Sequence, residues 1–235
     1  MKWVPDRTGR FHRRPHYDPA ELNVECEMLV SEFLADRHGS VRYPISTDDL
    51  MVLLESLTQD LDVYADLSAD GEDVEGITDF LPGKRPRVRI SNRLSTQSRL
   101  ENRLRTTLTH ELGHVKFHTF MFDIERPQSL FSSAEPESNK CKRDSILGAS
   151  QSDWMEWQAG FACGAFLMPS VALAEFIAVG SSIEAPHSPT GASSPEGLQL
   201  ISGVANYFQV SREAAQVRLL QQRVLTELIV SSDLF

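Results

Sequence analysis

Hydrophobic and polar residues alternate along this chain with two different periods, and the change of period divides it. From Asp18 to Asp36 (DPAELNVECEMLVSEFLAD) the apolar positions Leu22, Met28, Leu29, Phe33 and Leu34 gather on one broad face, the spacing of an amphipathic helix laid on a core. Asp18 suits the N-cap and Pro19 the first turn. Leu50 to Leu57 repeats the helical pattern behind Pro44 and a Ser46-Thr47 cap. The period then drops to two. LDVYADL reads as a short strand and Gly76 to Leu81 as another. After a loop at Pro82 to Arg85, Val88 and Ile90 alternate with Arg87, Arg89 and Ser91, the pattern of a half-buried strand. These make a small sheet rather than a repeating strand–helix array.

Helical spacing returns from Arg99 to about Phe120, and again over Asp153 to Leu167 (DWMEWQAGFACGAFL), which Met168-Pro169 ends. Ser170 to Ile177 continues as a short helix. Glu196 to Leu228 reads as one or two closing helices, with a turn at Gln209-Val210 and a cap at Ser211. Two stretches lack periodicity: a surface excursion over 125–152, rich in Pro, Ser and charge, and a flexible loop from Ser181 to Pro195. Residues 1–17, which include the basic run RTGRFHRRPH, read as a flexible, solvated tail. The expected organisation is that tail followed by one domain over 18–230.

Composition narrows the function classes. Hydrophobic residues make up 41% and charged residues 24%, ordinary globular usage. A net charge of -10 argues against direct nucleic-acid binding, which rests on many Lys and Arg contacts to phosphate. Cys26, Cys141 and Cys163 show no CxxC pairing, which fits a reducing compartment. No run approaches the ~18 apolar residues of a membrane span, and the N-terminus has no apolar signal core. The expectation is a soluble, cytoplasmic protein with no membrane partner.

The chemistry concentrates in THELGHVKFH, Thr109 to His118. On a helix His110 and His114 lie one turn apart on one face, so both imidazoles can reach one ion. Glu111 lands beside that ion, within reach of a water on it. This is the HExxH pattern, in which two histidines bind Zn²⁺ and the glutamate is the general base. Leu104, Leu108, Leu112 and Val115 let such a helix be buried. Gly113 is either a point of close backbone approach or a merely tolerated glycine.

A catalytic zinc site usually has three protein ligands. His118 lies eight residues from His110, about 12 Å along an unbroken helix, too far for both to bond one ion at ~2.0 Å. Nothing in Val115-Lys116-Phe117 favours a helix break. His118 is therefore set aside as a ligand, with helix-end packing or a hydrogen bond to a ligand or substrate as its expected role. Glu156, beside a small-residue face at Ala159, Gly160, Cys163 and Gly164, is the other candidate. It reads equally as a first-turn carboxylate favoured by the helix dipole. Cys163 reads as a small core residue.

Together these segments resemble the ImmA/IrrE family of metallopeptidases. The similarity runs from about Glu21 to Leu225. It rests on PISTDDLMVLLE, the strand RVRISN, the run RLENRLRTTLTHELGHVKFH, the stretch EWQAGFACGAFLMP and the closing FQVSREAAQVRLL. Gly160 stands where the family commonly has Asn, and the 125–152 segment is longer than in compact members. The resemblance implies Glu156 as third metal ligand. It implies an α+β, zincin-like fold, mostly helical, with a small β-sheet beside the HExxH helix. It implies that the strand over Arg87 to Ser91 is an edge open to an extended peptide. The usual substrate in that family is a helix-turn-helix repressor, here on another chain, whose cleavage derepresses stress or mobile-element genes.

The leading expectation is a zinc-dependent endopeptidase with His110, His114 and Glu156 on the ion and Glu111 as base; Mn²⁺ can substitute in vitro. His118, Tyr207, Arg212 and Arg218 are candidates for contacting substrate or stabilising the oxyanion. The competing expectations are a non-catalytic, zinc-stabilised partner-binding module and, more weakly, a zinc hydrolase acting on something other than peptides.

Overall fold

The computed structural model describes residues 1–81, 83–125, 137–142, 153–180 and 190–227. Two strands, β1 (Lys2–Pro5) and β2 (Arg13–His16), precede the helices α1 (Pro19–His38) and α2 (Thr47–Leu57). The strands β3 (Asp60–Ala65), β4 (Val74–Phe80) and β5 (Arg87–Ser91) follow, then the short α3 (Asn92–Ser95) and the long α4 (Glu101–Glu125). Beyond β6 (Glu137–Lys142) come α5 (Trp154–Leu167), α6 (Ser170–Gly180), β7 (Thr190–Gly191), α7 (Pro195–Phe208), α8 (Arg212–Gln221) and β8 (Leu225–Thr226). The fold is α+β and mostly helical, consistent with the zincin-like expectation. Among the described residues no single helix is long and apolar enough to cross a membrane.

Local chemistry sets most boundaries. Asp18 caps α1 by accepting from the Glu21 amide at 2.9 Å, while the Glu21 carboxylate accepts from the Asp18 amide at 3.0 Å. This reciprocal pair satisfies two amides that a helix start otherwise leaves open. Ser46, Ser194 and Ser211 cap α2, α7 and α8 in the same sense. The expected turn at Gln209 is left-handed, with φ of 54°.

The hub is α4, which packs against α5, α2 and β4. Its central turns are buried all round, polar groups included. Arg105 ties it to distant loops, donating to the carbonyls of Ile45 at 2.8 Å, Gln209 at 3.1 Å and Phe208 at 3.3 Å. A buried guanidinium is tolerable here because its donors meet fixed carbonyl acceptors.

The main sheet has the order β3-β5-β4-β6, with β3 parallel to β5 and the other two pairings antiparallel. The strand over Arg87 to Ser91 is therefore interior, flanked by β3 and β4, and is not the open edge that the resemblance implied. The edges are β3 and β6. β6 arises within the stretch read as a surface excursion, whose remaining residues, 126–136 and 143–152, lie outside the described residues. So do 181–189 of the expected flexible loop and Leu228, the last residue of the expected closing helix. Ahead of those, the chain leaves α8 at Gln221 and forms β8, parallel to β7.

The first 17 residues are not a flexible tail. β1 and β2 form an antiparallel hairpin from Lys2↔His16 to Pro5↔Arg13. Asp6 closes it, accepting from the amides of Thr8 and Phe11, with Gly9 at a φ of 76°. Phe11 packs edge-on to Phe122, and Arg14 lies over the Trp154 ring at 5.4 Å. The hairpin thus covers a second core of Phe11, Phe80, Met121, Phe122, Trp154 and Met155.

Helices α4 and α5 approach each other closely at Gly113. A Cβ added at Gly113 would meet the Ala159 Cα at 2.9 Å, so this glycine is required by backbone proximity. Helix propensity alone would favour replacing it, by about 1 kcal/mol for Ala. Overpacking against a backbone atom costs more, typically about 1–3 kcal/mol. Gly113→Val, with two added branches and little propensity gain, is expected to lower unfolding free energy by on the order of 3 kcal/mol, read as a lower denaturant midpoint at unchanged slope.

Candidate metal centre

His110 and His114 sit one turn apart on α4, both fully buried. Their Nε2 atoms face each other at 3.1 Å. Glu156 enters from the first turn of α5, where its amide is capped by Asp153. Its Oε2 lies 3.2 Å from His110 Nε2 and its Oε1 3.2 Å from His114 Nε2. Glu156 thus occupies a helix N-terminus and also faces the two histidines. The three ligand atoms lie within 4.8 Å of one another, which suits one small divalent ion. Two imidazoles and a carboxylate are the donor set of a catalytic zinc site.

Burial alone would raise the Glu156 pKa, but facing His114 and His110 holds it well below the ordinary carboxylate range. Burial would lower the His114 pKa, yet Glu156, and then Glu111, raise it.

His118 is also fully buried. It fixes the orientation of His114 through a chain of hydrogen bonds. The Gln158 side-chain amide donates from Nε2 to the Pro15 carbonyl, which can only accept, at 3.1 Å. Gln158 Oε1 must then accept from His118 Nε2 at 3.1 Å. Burial pushes the His118 pKa well down, so the ring is neutral and its Nδ1 carries a lone pair. That lone pair accepts from His114 Nδ1 at 3.0 Å. The Nδ1 proton of His114 is thereby fixed, leaving Nε2 to meet the ion. Trp154, edge-on to His118 at 5.4 Å, holds the ring in place. The chain begins in the N-terminal hairpin, whose role the sequence did not disclose.

Glu111 lies beside the histidines, fully buried, and is held from β4. Thr78 Oγ1 donates to its Oε2 at 2.5 Å. Its Oε1 has no hydrogen-bond partner among the described residues. A Cβ at Gly76 would lie 2.9 Å from the Glu111 Cδ, so only glycine leaves room for this carboxylate. Burial raises the Glu111 pKa, partly offset by His114, His110 and the Thr78 hydroxyl.

Several sequence candidates lie elsewhere. Tyr207 is 43% exposed; its hydroxyl donates to the Tyr43 carbonyl at 3.5 Å and its ring packs on Phe176 and Phe208. The structure brings it together with these residues and not with the histidine cluster. Arg212 donates to Ser202, and Arg218 is buried on the Met168 carbonyl and over the Phe161 ring. Cys163 is the small core residue expected, with Thr109 Oγ1 donating to its Sγ at 3.2 Å. Sequence reasoning missed Thr78, Gln158 and Cys141. The last, on β6, brings its Sγ within 4.8 Å of ligand atoms of His110 and Glu111. Burial pushes its thiol well up, and Glu111, Glu156 and Glu75 add to that.

Two measurements follow from this geometry. Gln158→Met keeps the side-chain volume but breaks the chain to His118, and zinc affinity in a chelator competition should fall roughly 10–100-fold with the fold intact. Because the raised pKa keeps His114 protonated to higher pH, an ion must displace that proton. Apparent affinity should fall by about tenfold per pH unit for each proton displaced as pH drops below that range, and level off above it.

Comparison with curated proteins finds no match. Residues 61–220, which span the sheet, α4, α5 and most of α8, match the IrrE N-terminal-like domain of peptidase family M78. The match covers well over half of the chain, and the chain belongs to this metallopeptidase family.

Proposed function

We propose that the protein is a zinc-dependent endopeptidase that cleaves a helix-turn-helix transcriptional repressor carried on another chain, relieving repression of stress or mobile-element genes. The observation that carries the hydrolytic reading is the different anchoring of two buried carboxylates. Glu156 faces both histidines at 3.2 Å, as a ligand would. Glu111 turns one oxygen to Thr78 and keeps the other open, as a base requires. The repressor, and the cytoplasmic setting that goes with it, rest on the resemblance of the chain to ImmA/IrrE peptidases.

His110, His114 and Glu156 would hold the ion, and Zn²⁺ is the best fit to two imidazoles and a carboxylate. When bound, it supplies Lewis acidity that polarises a carbonyl and lowers the pKa of a water. The chain's own groups do the rest. Glu111 takes the nucleophile's proton on Oε1 and returns it to the leaving amine nitrogen. Its raised pKa brings it closer to neutrality, which suits a group that must both accept and release a proton. Thr78 fixes the carboxylate's orientation, and His118 fixes that of His114. Burial of the cluster excludes bulk water and strengthens these interactions.

A zinc-stabilised binding module would need the ligands alone. Glu111, held on β4 by Thr78 and in space left by Gly76, has no purpose in that account. Glu111→Gln separates the readings. Co-expressed with a repressor encoded nearby, the wild type should yield a cut fragment. The variant should keep its zinc and lose roughly 10²–10⁴-fold in cleavage rate. Regulation of the partner that survives the substitution would favour the binding module.

A further inference from the structure

The cluster described above is closed. His110, Glu111 and His114 have no exposed surface, and Glu156 has 7%. Part of the closure comes from β6, which pairs with β4 over Glu137 to Lys142. β4 carries the residues that touch Glu111, Gly76 and Thr78. With β5 on one side and β6 on the other, neither edge of β4 is open to a peptide.

The register says where Cys141 points. It lies directly opposite Gly76, and residues opposite each other in an antiparallel pair project to the same face. At Gly76 that face is the one turned to Glu111, where a Cβ would collide with the carboxylate. Cys141 therefore projects toward α4. A second observation agrees on the direction: Sγ of Cys141 and ligand atoms of His110 and Glu111 lie within 4.8 Å of one another, a set that shares His110 with the His110, His114 and Glu156 centre without including the other two. The buried Oε1 of Glu111, without a hydrogen-bond partner among the described residues, belongs to the same corner.

We propose that β6 is a built-in inhibitory strand, which seats the Cys141 sulfur as a fourth ligand at the metal centre and occupies the β4 edge that an extended substrate would use. This rests on the metal centre proposed above. Two imidazoles, one carboxylate and one thiolate make a closed tetrahedral set, whereas catalysis needs the fourth position open. Coordination releases the thiol proton to solvent. A peptide added outside β6 would lie one strand spacing further from Glu111, about 4.8 Å, with Cys141 between. A peptide must therefore take the place of β6, and release of this strand both opens the fourth position and exposes the pairing edge.

Cobalt reads this without an activity assay. The full-length chain loaded with Co²⁺ should show visible ligand-field bands together with a near-ultraviolet thiolate-to-cobalt charge-transfer band. Cys141→Ser should keep the first and lose the second. It should also surrender its metal to a small bidentate chelator several-fold faster than the wild type. Ligand-field bands without charge transfer in the wild type would overturn the proposal and leave the metal centre standing. A charge-transfer band that persists in Cys141→Ser, or an equal rate of metal removal, overturns it as well. No ligand-field band at all would overturn the centre and the proposal together. Should Cys141→Ser not fold, X-ray absorption on the zinc-loaded wild type decides the same point through the presence or absence of one sulfur neighbour.

Discussion

The near-contact of α4 and α5 at Gly113 and Ala159 is the constraint from which the site follows. Glu156 sits three residues before Ala159, and His110 and His114 flank Gly113. Helices packed at an ordinary distance of about 8–10 Å would hold a first-turn carboxylate away from the neighbouring imidazoles. With the backbones this close, Glu156 reaches both Nε2 atoms at 3.2 Å. Five ionisable side chains, His110, Glu111, His114, His118 and Glu156, are buried around this contact, which is costly unless each finds a partner. The fold supplies partners from three directions: Thr78 from β4, Gln158 from α5, and through it the Pro15 carbonyl from the hairpin.

That last link gives the N-terminal hairpin two structural duties. It covers Phe122 and Trp154 with Phe11 and Arg14, and it ends the hydrogen-bond chain that orients His114. An acceptor that can never donate is a good terminus, because it forces the direction of every donor behind it. The carbonyl of Pro15 sets Gln158, Gln158 sets His118, and His118 sets His114.

Helix α4, its two histidines and Glu111 were legible in sequence because four-residue spacing maps directly onto one helix face. The Asp18 cap and the Gln209 turn were legible for similar reasons, as local chemistry with local consequences. Glu156 was readable as a candidate, but its part in the centre depends on helix packing, which spacing within one segment does not contain. The hairpin escaped because RTGRFHRRPH buries little beyond Phe11 and Pro15; the signal present was the turn chemistry of Asp6, Thr8 and Gly9. β6 escaped because ESNKCK has one apolar position, Cys141, so no period-two pattern exists to find. The edge role of β5 came from the resemblance and failed because β5 inserts between β3 and β4, a long-range pairing that period-two spacing does not contain; missing β6 hid only the partner on the far side of β4. Tyr207 was illegible for another reason: an aromatic hydroxyl just ahead of the closing FQVSREAAQVRLL stretch carries no distance information, and its ring packs on Phe176 of α6.

The balance of charge around the histidines assigns the remaining roles. Three buried carboxylates lie in this part of the molecule. Glu75, with no exposed surface, is neutralised by Arg93 at 2.7 Å and Arg103 at 2.6 Å, so it makes no demand on the centre. Glu111 is fully buried, and burial raises its pKa by more than His114, His110 and the neutral Thr78 hydroxyl lower it. Glu156 takes the histidines' side, and its pKa falls. A cation placed among His110, His114 and Glu156 completes the compensation of Glu156 and sits close enough to draw Glu111 toward its charged form. An ion at that place thus makes Glu111 available as a base, while the arginines on Glu75 keep a third carboxylate from competing for it.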